Sequence, residues 1–457
     1  MRWSLALALL AGVVVADDST TTDSSTSSSS TTSMDLSNGT TITDPTSVAM
    51  PTGSYEVYST TLTLSDGDRL TTTYAVNAST TATGNSTGLH TTTSDSVTVL
   101  VGGGGGGTTT LGNSSMNATA TSTSALQTVT NTSPCNSYPE YCARKYSNIT
   151  MVAAHNSPFV RKGNAAANQD FTVKYQLDDG IRMLQFQVHN QTNVMTLCHT
   201  SCSILNVGTL ESYLTTVTEW VRTHPLDVVT ILMGNYDYVS PTLFVDPFES
   251  SGIMNYIYTP PKVPMALDDW PTLSDMIYSN KRVVVFMDYQ ANQTAVPWLQ
   301  DEFSQLWETP FSPTNANFPC TQQRPPGIST TQAKDRMYMA NHNLNVDLNL
   351  GTIDLLIPNT AILNETNAVN GSGSLGDMAR RCTTKWDRPP NFLLVDFYND
   401  GNFNGSVFEV AAQMNNVTYN KQSCCGTESA AVHGMNVAGV SSMILVVAAI
   451  QLVLSAF

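Results

Sequence analysis

LDDGIRMLQFQVHN, residues Leu177–Asn190, is the stretch from which the fold is read. Asp179-Gly180 is a turn signal, and the run Ile181 to Val188 behind it has the length and apolar content of a strand. Side chains along a strand alternate with a period of two, so Gln185, Gln187 and His189 share one face. Polar groups toward the end of an otherwise buried strand are the arrangement an α/β barrel uses for its chemistry, which projects from the C-terminal strand ends.

Similar runs lie on either side. Ile149 to Ala154 leads into His155, Met195 to Cys198 leads into His199, and Phe392 to Val395 leads into Asp396. Val228 to Met233, Val283 to Met287 and Met337 to Ala340 complete the set. Most are short, apolar on both faces and bounded by polar turns, as strands covered on both sides are. Between them Leu210, Tyr213, Leu214, Val217, Trp220 and Val221 recur at helical spacing until His224-Pro225 ends the run. Phe403 to Met414 is a second helical pattern, after the last strand. Strands alternating with helices imply a parallel sheet. The roughly 290 residues from Pro134 to Cys425 favour closure into a distorted TIM-type (β/α) barrel.

At the expected strand ends stand His155-Asn156-Ser157, the face Gln185, Gln187 and His189, then His199 and Asp396. Two histidines and a carboxylate suffice for general acid–base catalysis near neutral pH. Taken singly, each histidine is as well explained as a hydrogen-bonded core or loop residue. The HExxH metal spacing, the nucleophile elbow and the dinucleotide fingerprint are all absent, and the glycine run 102–107 has no strand–helix unit beside it.

Tyr146–Ser157 (YSNITMVAAHNS), Leu177–Asn190 and Leu197–Leu214 (LCHTSCSILNVGTLESYL), extended by Asn391–Asp400 (NFLLVDFYND), resemble the catalytic X region of phosphatidylinositol-specific phospholipases C and the fungal phosphodiesterases like them. The resemblance implies a distorted α/β barrel acting on a phosphodiester lipid. It implies His155 as the general base toward the inositol 2-hydroxyl, His199 as the general acid, and Asp396 as the carboxylate paired with the base. Asn156, Gln185 and Gln187 fall at positions that face the substrate or, in the eukaryotic branch, calcium. There the second and third are acidic, and in the bacterial branch an arginine stands at the position of Gln187. Phosphoryl transfer needs positive charge near the equatorial oxygens. Neutral amides bring none and are poor ligands for a hard cation such as Ca2+. His189, if protonated, would bring part of it.

The flanks belong outside the cell. Met1-Arg2-Trp3, the apolar run Leu5 to Val15 and Ala16 form a secretory signal peptide, 1–16. Residues 17–133 are rich in Ser, Thr and Gly and read as a disordered, glycosylated stalk, in which Tyr55–Leu64 and Leu70–Val76 alternate enough for a small hairpin. After the barrel at 134–425, Ser429-Ala430-Ala431, a spacer and the apolar tail Met443 to Phe457 have the layout of a glycolipid (GPI) anchor signal over 426–457. Ser429 is the expected attachment residue, a neighbouring small residue being nearly as good. The expected partner besides the lipid headgroup is therefore the membrane. A net charge of −16 offers no basic surface for nucleic acid. The sequence does not give an oligomeric state.

Eight cysteines in a secreted chain imply disulfides. Pairs 135/142, 198/202 and 320/382 suit the spacing without fixing the connectivity. Cys424 and Cys425 either bond each other in a tight turn or have separate partners. N-glycosylation sequons recur through the chain, for example at Asn77, Asn148, Asn190, Asn292, Asn364 and Asn416. The leading expectation is a surface phosphodiesterase; the alternatives are a wall glycoprotein using the barrel as scaffold, or a lipid-binding module without turnover.

Overall fold

The computed structural model describes residues 53–58, 60–64, 132–160, 162–349, 354–420 and 424–425. The expected leader, most of the stalk and everything after residue 425, Ser429 included, lie outside the described residues. No described helix is long and apolar enough to cross a membrane.

Ten strands organise the domain: β1 (Met151–Ala154), β2 (Met183–Gln191), β3 (Val194–His199), β4 (Leu205–Thr209), β5 (Val229–Asn235), β6 (Val283–Met287), β7 (Leu299–Asp301), β8 (Leu306–Glu308), β9 (Met337–Asn341) and β10 (Phe392–Val395). Eight of them run parallel in the order β8-β9-β10-β1-β2-β5-β6-β7. The two end strands of that order, β7 and β8, follow each other in the chain, joined only by the helical turn Glu302–Gln305. The sheet therefore curls until one interrupted run of chain touches both of its edges, which is the distorted barrel that the alternating pattern implies.

The period of two separates inside from outside. Inward residues at the N-terminal ends are apolar: Met151, Ala153, Met183, Val284, Leu306, Met337 and Phe392 form one buried cluster with Tyr146 and Trp270. Outward residues such as Val152, Leu184, Phe186, Ile231, Val285 and Leu393 join a second cluster with the surrounding helices. Helix Leu210–Thr223 turns Leu210, Leu214, Val217 and Val221 into that cluster. Thr209 caps its start by accepting from Ser212 N, and it stops at His224, as read from the sequence. Truncating a fully buried leucine such as Leu214 removes apolar area and leaves a cavity, a cost of about 2–5 kcal/mol.

Three expectations need correction. The Met195–Cys198 run is not a barrel strand. β3 pairs antiparallel with the far end of β2 and with β4, so it is an arm projecting beyond the barrel. β7 and β8 were not anticipated, because Gln300, Asp301, Glu302, Gln305 and Glu308 are buried there and break the apolar pattern that marks a strand. Within the stretch read as stalk, residues 53–58 and 60–64 pack on the domain. Leu62–Thr63 pairs antiparallel with Lys262–Val263, and Tyr55 meets Tyr289 and Phe303 edge-on; the second half of the suggested hairpin, Leu70–Val76, lies outside the described residues.

Disulfides join Cys135 to Cys142, Cys198 to Cys202 and Cys320 to Cys382. The fourth bond joins the neighbours Cys424 and Cys425 to each other.

Candidate active site

β1 ends in Ala154, and the chain turns at once through His155 and Asn156, the latter in the left-handed region at φ 48°. Asparagine tolerates that conformation better than most residues. His155 N donates to Val395 O (3.0 Å), which ties the turn to the adjacent end of β10 and brings Asp396 alongside. His155 Nδ1 lies 2.7 Å from Asp396 Oδ1. The buried carboxylate accepts a hydrogen bond from Nδ1–H, which fixes the tautomer and leaves Nε2 as the basic nitrogen. Asn156 Nδ2 lies 3.2 Å from that Nε2.

Residues that the sequence did not single out hold this pair. Asn168 Nδ2 donates to the same Asp396 oxygen (2.8 Å), and Gln169 Nε2 donates to the carbonyls of His155 (2.8 Å) and Val395 (3.1 Å). Both side chains are buried. They come from the turn before helix Val173–Asp179, where no periodicity marks them.

His155 opens onto a cavity of about 550 Å³ at the C-terminal end of the barrel. Gln185 and Gln187 line it from β2, with Asn235, Asp288, Glu308, Asn341 and Asn343 from the ends of neighbouring strands. Gln185 Oε1 accepts from Asn156 N at 3.0 Å, so this amide braces the turn that carries His155. Gly234 lets the wall close up: a Cβ there would lie 3.3 Å from Gln187 and 3.6 Å from Asp288.

The lining also contains Arg324, its one lysine or arginine among the described residues. Its guanidinium donates to Glu308 Oε2 (3.2 Å) and Tyr289 Oη (3.1 Å) and lies 3.7 Å from Asp288. Burial works against its charge, but Glu308, Glu302, Tyr289 and Asp288 more than offset this and hold it firmly protonated. Burial, opposed by Arg324, raises the Asp288 carboxyl to about 6. Burial and then Glu308 hold the Glu302 carboxyl well above the usual carboxylate range. Arg324 sits in the loop Thr321–Gly327, which has no strand or helix pattern, so only its position in space marks it.

His199 ends β3 in the antiparallel arm, inside the short loop closed by Cys198–Cys202. Its ring meets Phe159 edge-on at 5.2 Å, and Thr200 Oγ1 is 3.2 Å from its Nδ1. Burial, then the charges of His155 and His189, bring it down to about 4. His155 and His189 are thus close enough to oppose protonation of His199, although neither His199 nor His189 is among the cavity's lining residues. The His189 ring lies tilted against Tyr236 at 4.1 Å with Asp237 3.9 Å away, and its buried Nε2 has no hydrogen-bond partner among the described residues. Burial lowers it despite Asp237, so it does not bring the positive charge that a protonated ring would supply.

The residues offer a calcium ion few ligands. Gln185 Oε1 is committed to a backbone N–H, Asp396 Oδ1 to His155 and Asn168, and Asp288 lies beside Arg324. Among the described residues no group of three or more His, Cys, Asp or Glu side chains is arranged to hold a metal.

A parallel barrel with a carboxylate-tethered histidine at the end of its first strand frames the comparison with known proteins. The PI-PLC X family matches residues 141–415. This chain belongs to that family. An "Uncharacterized secreted protein" of Arthroderma benhamiae is 56% identical over 350 residues, 76% of this chain and 79% of that protein. The "PI-PLC X domain-containing protein 1" of the same fungus is 43% identical, over 58% of this chain and 86% of that protein. Among solved structures, the phosphatidylinositol-specific phospholipase C of Listeria monocytogenes aligns with a TM-score of 0.40 at 11% identity, over 61% of this chain and 96% of that one. The PI-PLC X match spans β1 to β10, so the whole described barrel falls within the family's boundaries.

Proposed function

We propose that this chain is an extracellular phosphodiesterase of the PI-PLC X family that cleaves a phosphoinositide or related lipid with a hydroxyl-rich headgroup. The observation that carries the reading is the 2.7 Å contact between His155 and Asp396 at the mouth of a polar cavity containing a charged arginine. His155 Nε2 takes the proton from the headgroup hydroxyl beside the phosphorus. That oxygen attacks, the bond from phosphorus to the lipid oxygen breaks, and His199 gives a proton to the departing alkoxide. Asp396 stabilises the imidazolium formed at His155. Arg324 supplies the positive charge that Gln185 and Gln187 lack. His199 stays neutral in the free protein. A bound phosphodiester anion favours its protonation, so the acid is charged only when there is a substrate to protonate.

The amides and carboxylates of Gln185, Gln187, Asn235, Asp288, Asn341 and Asn343 suit hydroxyl groups, which both donate and accept. The leader, the anchor signal with Ser429 and the name of the 56% identical relative support a place outside the cell, tethered to the membrane face. The alternative, a binding module without turnover, draws on the neutral Gln185 and Gln187. Vesicles of phosphatidylinositol and of phosphatidylcholine separate these readings. Release of water-soluble phosphate ester from the first alone is expected, and saturable binding without product would support the alternative instead.

A further inference from the structure

Tyr55, Tyr58 and Tyr74 are the only Phe, Tyr or Trp residues between 17 and 133, and two of the three fall in the described residues 53–58. With residues 60–64, that segment lies against the wall behind Arg324. At one end Gly53 rests on the Tyr289 ring so closely that a Cβ would come within 2.3 Å of it. At the other, Leu62–Thr63 adds a short antiparallel strand to Lys262–Val263, and Leu64 N donates to Pro261 O at 2.8 Å. Between these anchors Tyr55 fills the angle between Tyr289 and Phe303, with ring centres 5.6 and 4.9 Å away.

Those two rings shape the place of Arg324. Its guanidinium lies 5.5 Å from the Tyr289 ring centre, 4.9 Å from Phe303 and 4.6 Å from Phe311. Arg324 donates to Tyr289 Oη at 3.1 Å, and Tyr289 Oη in turn donates to Tyr55 Oη at 3.3 Å. A relay of two hydroxyls therefore runs from the stalk to the one lysine or arginine in the cavity lining. Glu308 and Asp288 hold the inner side of that arginine, and the rings backed by Tyr55 hold its outer side.

We propose that residues 53–58 and 60–64 form a strap belonging to the catalytic domain, with Tyr55 a positioning residue that keeps Arg324 directed into the cavity through Tyr289 and Phe303. This rests on the reading of Arg324 as the residue that meets the substrate phosphate. Tyr55 itself touches no reacting atom. The strap carries its own recognition elements, an edge strand and two tyrosines, within a Ser/Thr-rich sequence. Aromatic contact of this kind is directional and its loss is felt in placement of the neighbouring group.

The test uses the full chain with Tyr55→Ala and Tyr55→Phe. Modification of Arg324 by phenylglyoxal, followed peptide by peptide by mass spectrometry, reads the placement of the guanidinium without any need for turnover. Labelling about 3- to 10-fold faster in Tyr55→Ala is expected, with Tyr55→Phe closer to wild type because the ring contacts remain. On a soluble inositol phosphodiester, kcat/KM should fall by a similar factor, with kcat lowered because Arg324 meets charge that develops in the transition state. Unchanged labelling in Tyr55→Ala, with only a lower melting temperature, would overturn the proposal and make the strap a stabilising appendage. If no phosphodiester is turned over, the labelling still decides on the strap, and only the functional reading of the cavity fails.

Discussion

Asp396 Oδ1 accepts from Asn168 and faces His155 Nδ1, so a single oxygen sets both the tautomer and the orientation of the base. Asp396→Asn keeps the shape but lets the imidazole take the wrong tautomer. We expect kcat to fall by about 10²–10⁴-fold, with the melting temperature little changed. A kcat near wild type would remove the carboxylate from the mechanism. Arg324→Lys keeps the charge but cannot reach Glu308 and Tyr289 together, and a loss of roughly 10-fold or more in kcat/KM on a phosphodiester is expected. A histidine outside the site gives a test of stability. His342 is fully buried against Phe318 and donates from Nε2 to Thr366 O at 2.8 Å. Burial brings it from 6.5 to about 3, so below pH 6.5 the unfolded chain gains a proton that the folded chain refuses. Stability contributed by the neutral ring is full above that pH and declines steadily toward pH 3. Between pH 7 and 4.5 wild type should lose ~2–3 kcal/mol more unfolding free energy than His342→Gln. Equal losses in the two proteins would contradict this. At this scale the sequence marks His155 and Asp396, since each directly follows an apolar run. Arg324, Asn168 and Gln169 come from loops, where nothing in the local pattern distinguishes a site residue from an exposed one.

Elements were legible where their inside is apolar. β6 and β10 have the bounds that their apolar runs suggest, and helix Leu210–Thr223 ends where His224-Pro225 stops it. β7 and β8 escaped because the barrel buries carboxylates and amides at that point, and pairing to different neighbours splits one run of chain in two. β3 was legible as strand but not as antiparallel, since a short run looks the same in either direction, and β4, with Asn206 and Gly208 inside it, was not read as a strand. That arm carries His199 beside the Cys198–Cys202 bond, which spans 4 positions, whereas Cys320–Cys382 spans 62. Loop-closure entropy then assigns about 2 kcal/mol to the short link and about 4 kcal/mol to the long one. Serine pairs at 198/202 should lower the melting temperature less than serine pairs at 320/382, yet lower kcat more, because only the former loosens His199. The reverse ranking in activity would argue against His199 as the acid.

The barrel divides its chemistry along its own axis: an apolar plug around Tyr146 and Trp270 at one end, and a polar cavity at the other. That division follows from the alternation within each strand, which is why fold and catalytic end could be read together. The domain boundary at 134 could not, because the strap is held by a few contacts within a stretch whose composition is dominated by Ser and Thr. The sequon asparagines Asn148, Asn292, Asn364 and Asn416 are exposed, so the barrel can carry N-linked sugar without repacking. For the chain as a whole, removal of the residues after Ser429 should move the protein from the cell surface to the medium; a truncated form that stays with the membrane would refute the anchor. The central claim is a metal-independent acid–base pair serving a phosphodiester. The direct measurement is hydrolysis of phosphatidylinositol by the full chain, with calcium and with chelator, beside His155→Ala and His199→Ala. We expect equal rates with calcium and chelator and a loss of at least about 10²-fold in each variant. Activity abolished by the chelator, or retained in either histidine variant, would contradict the account.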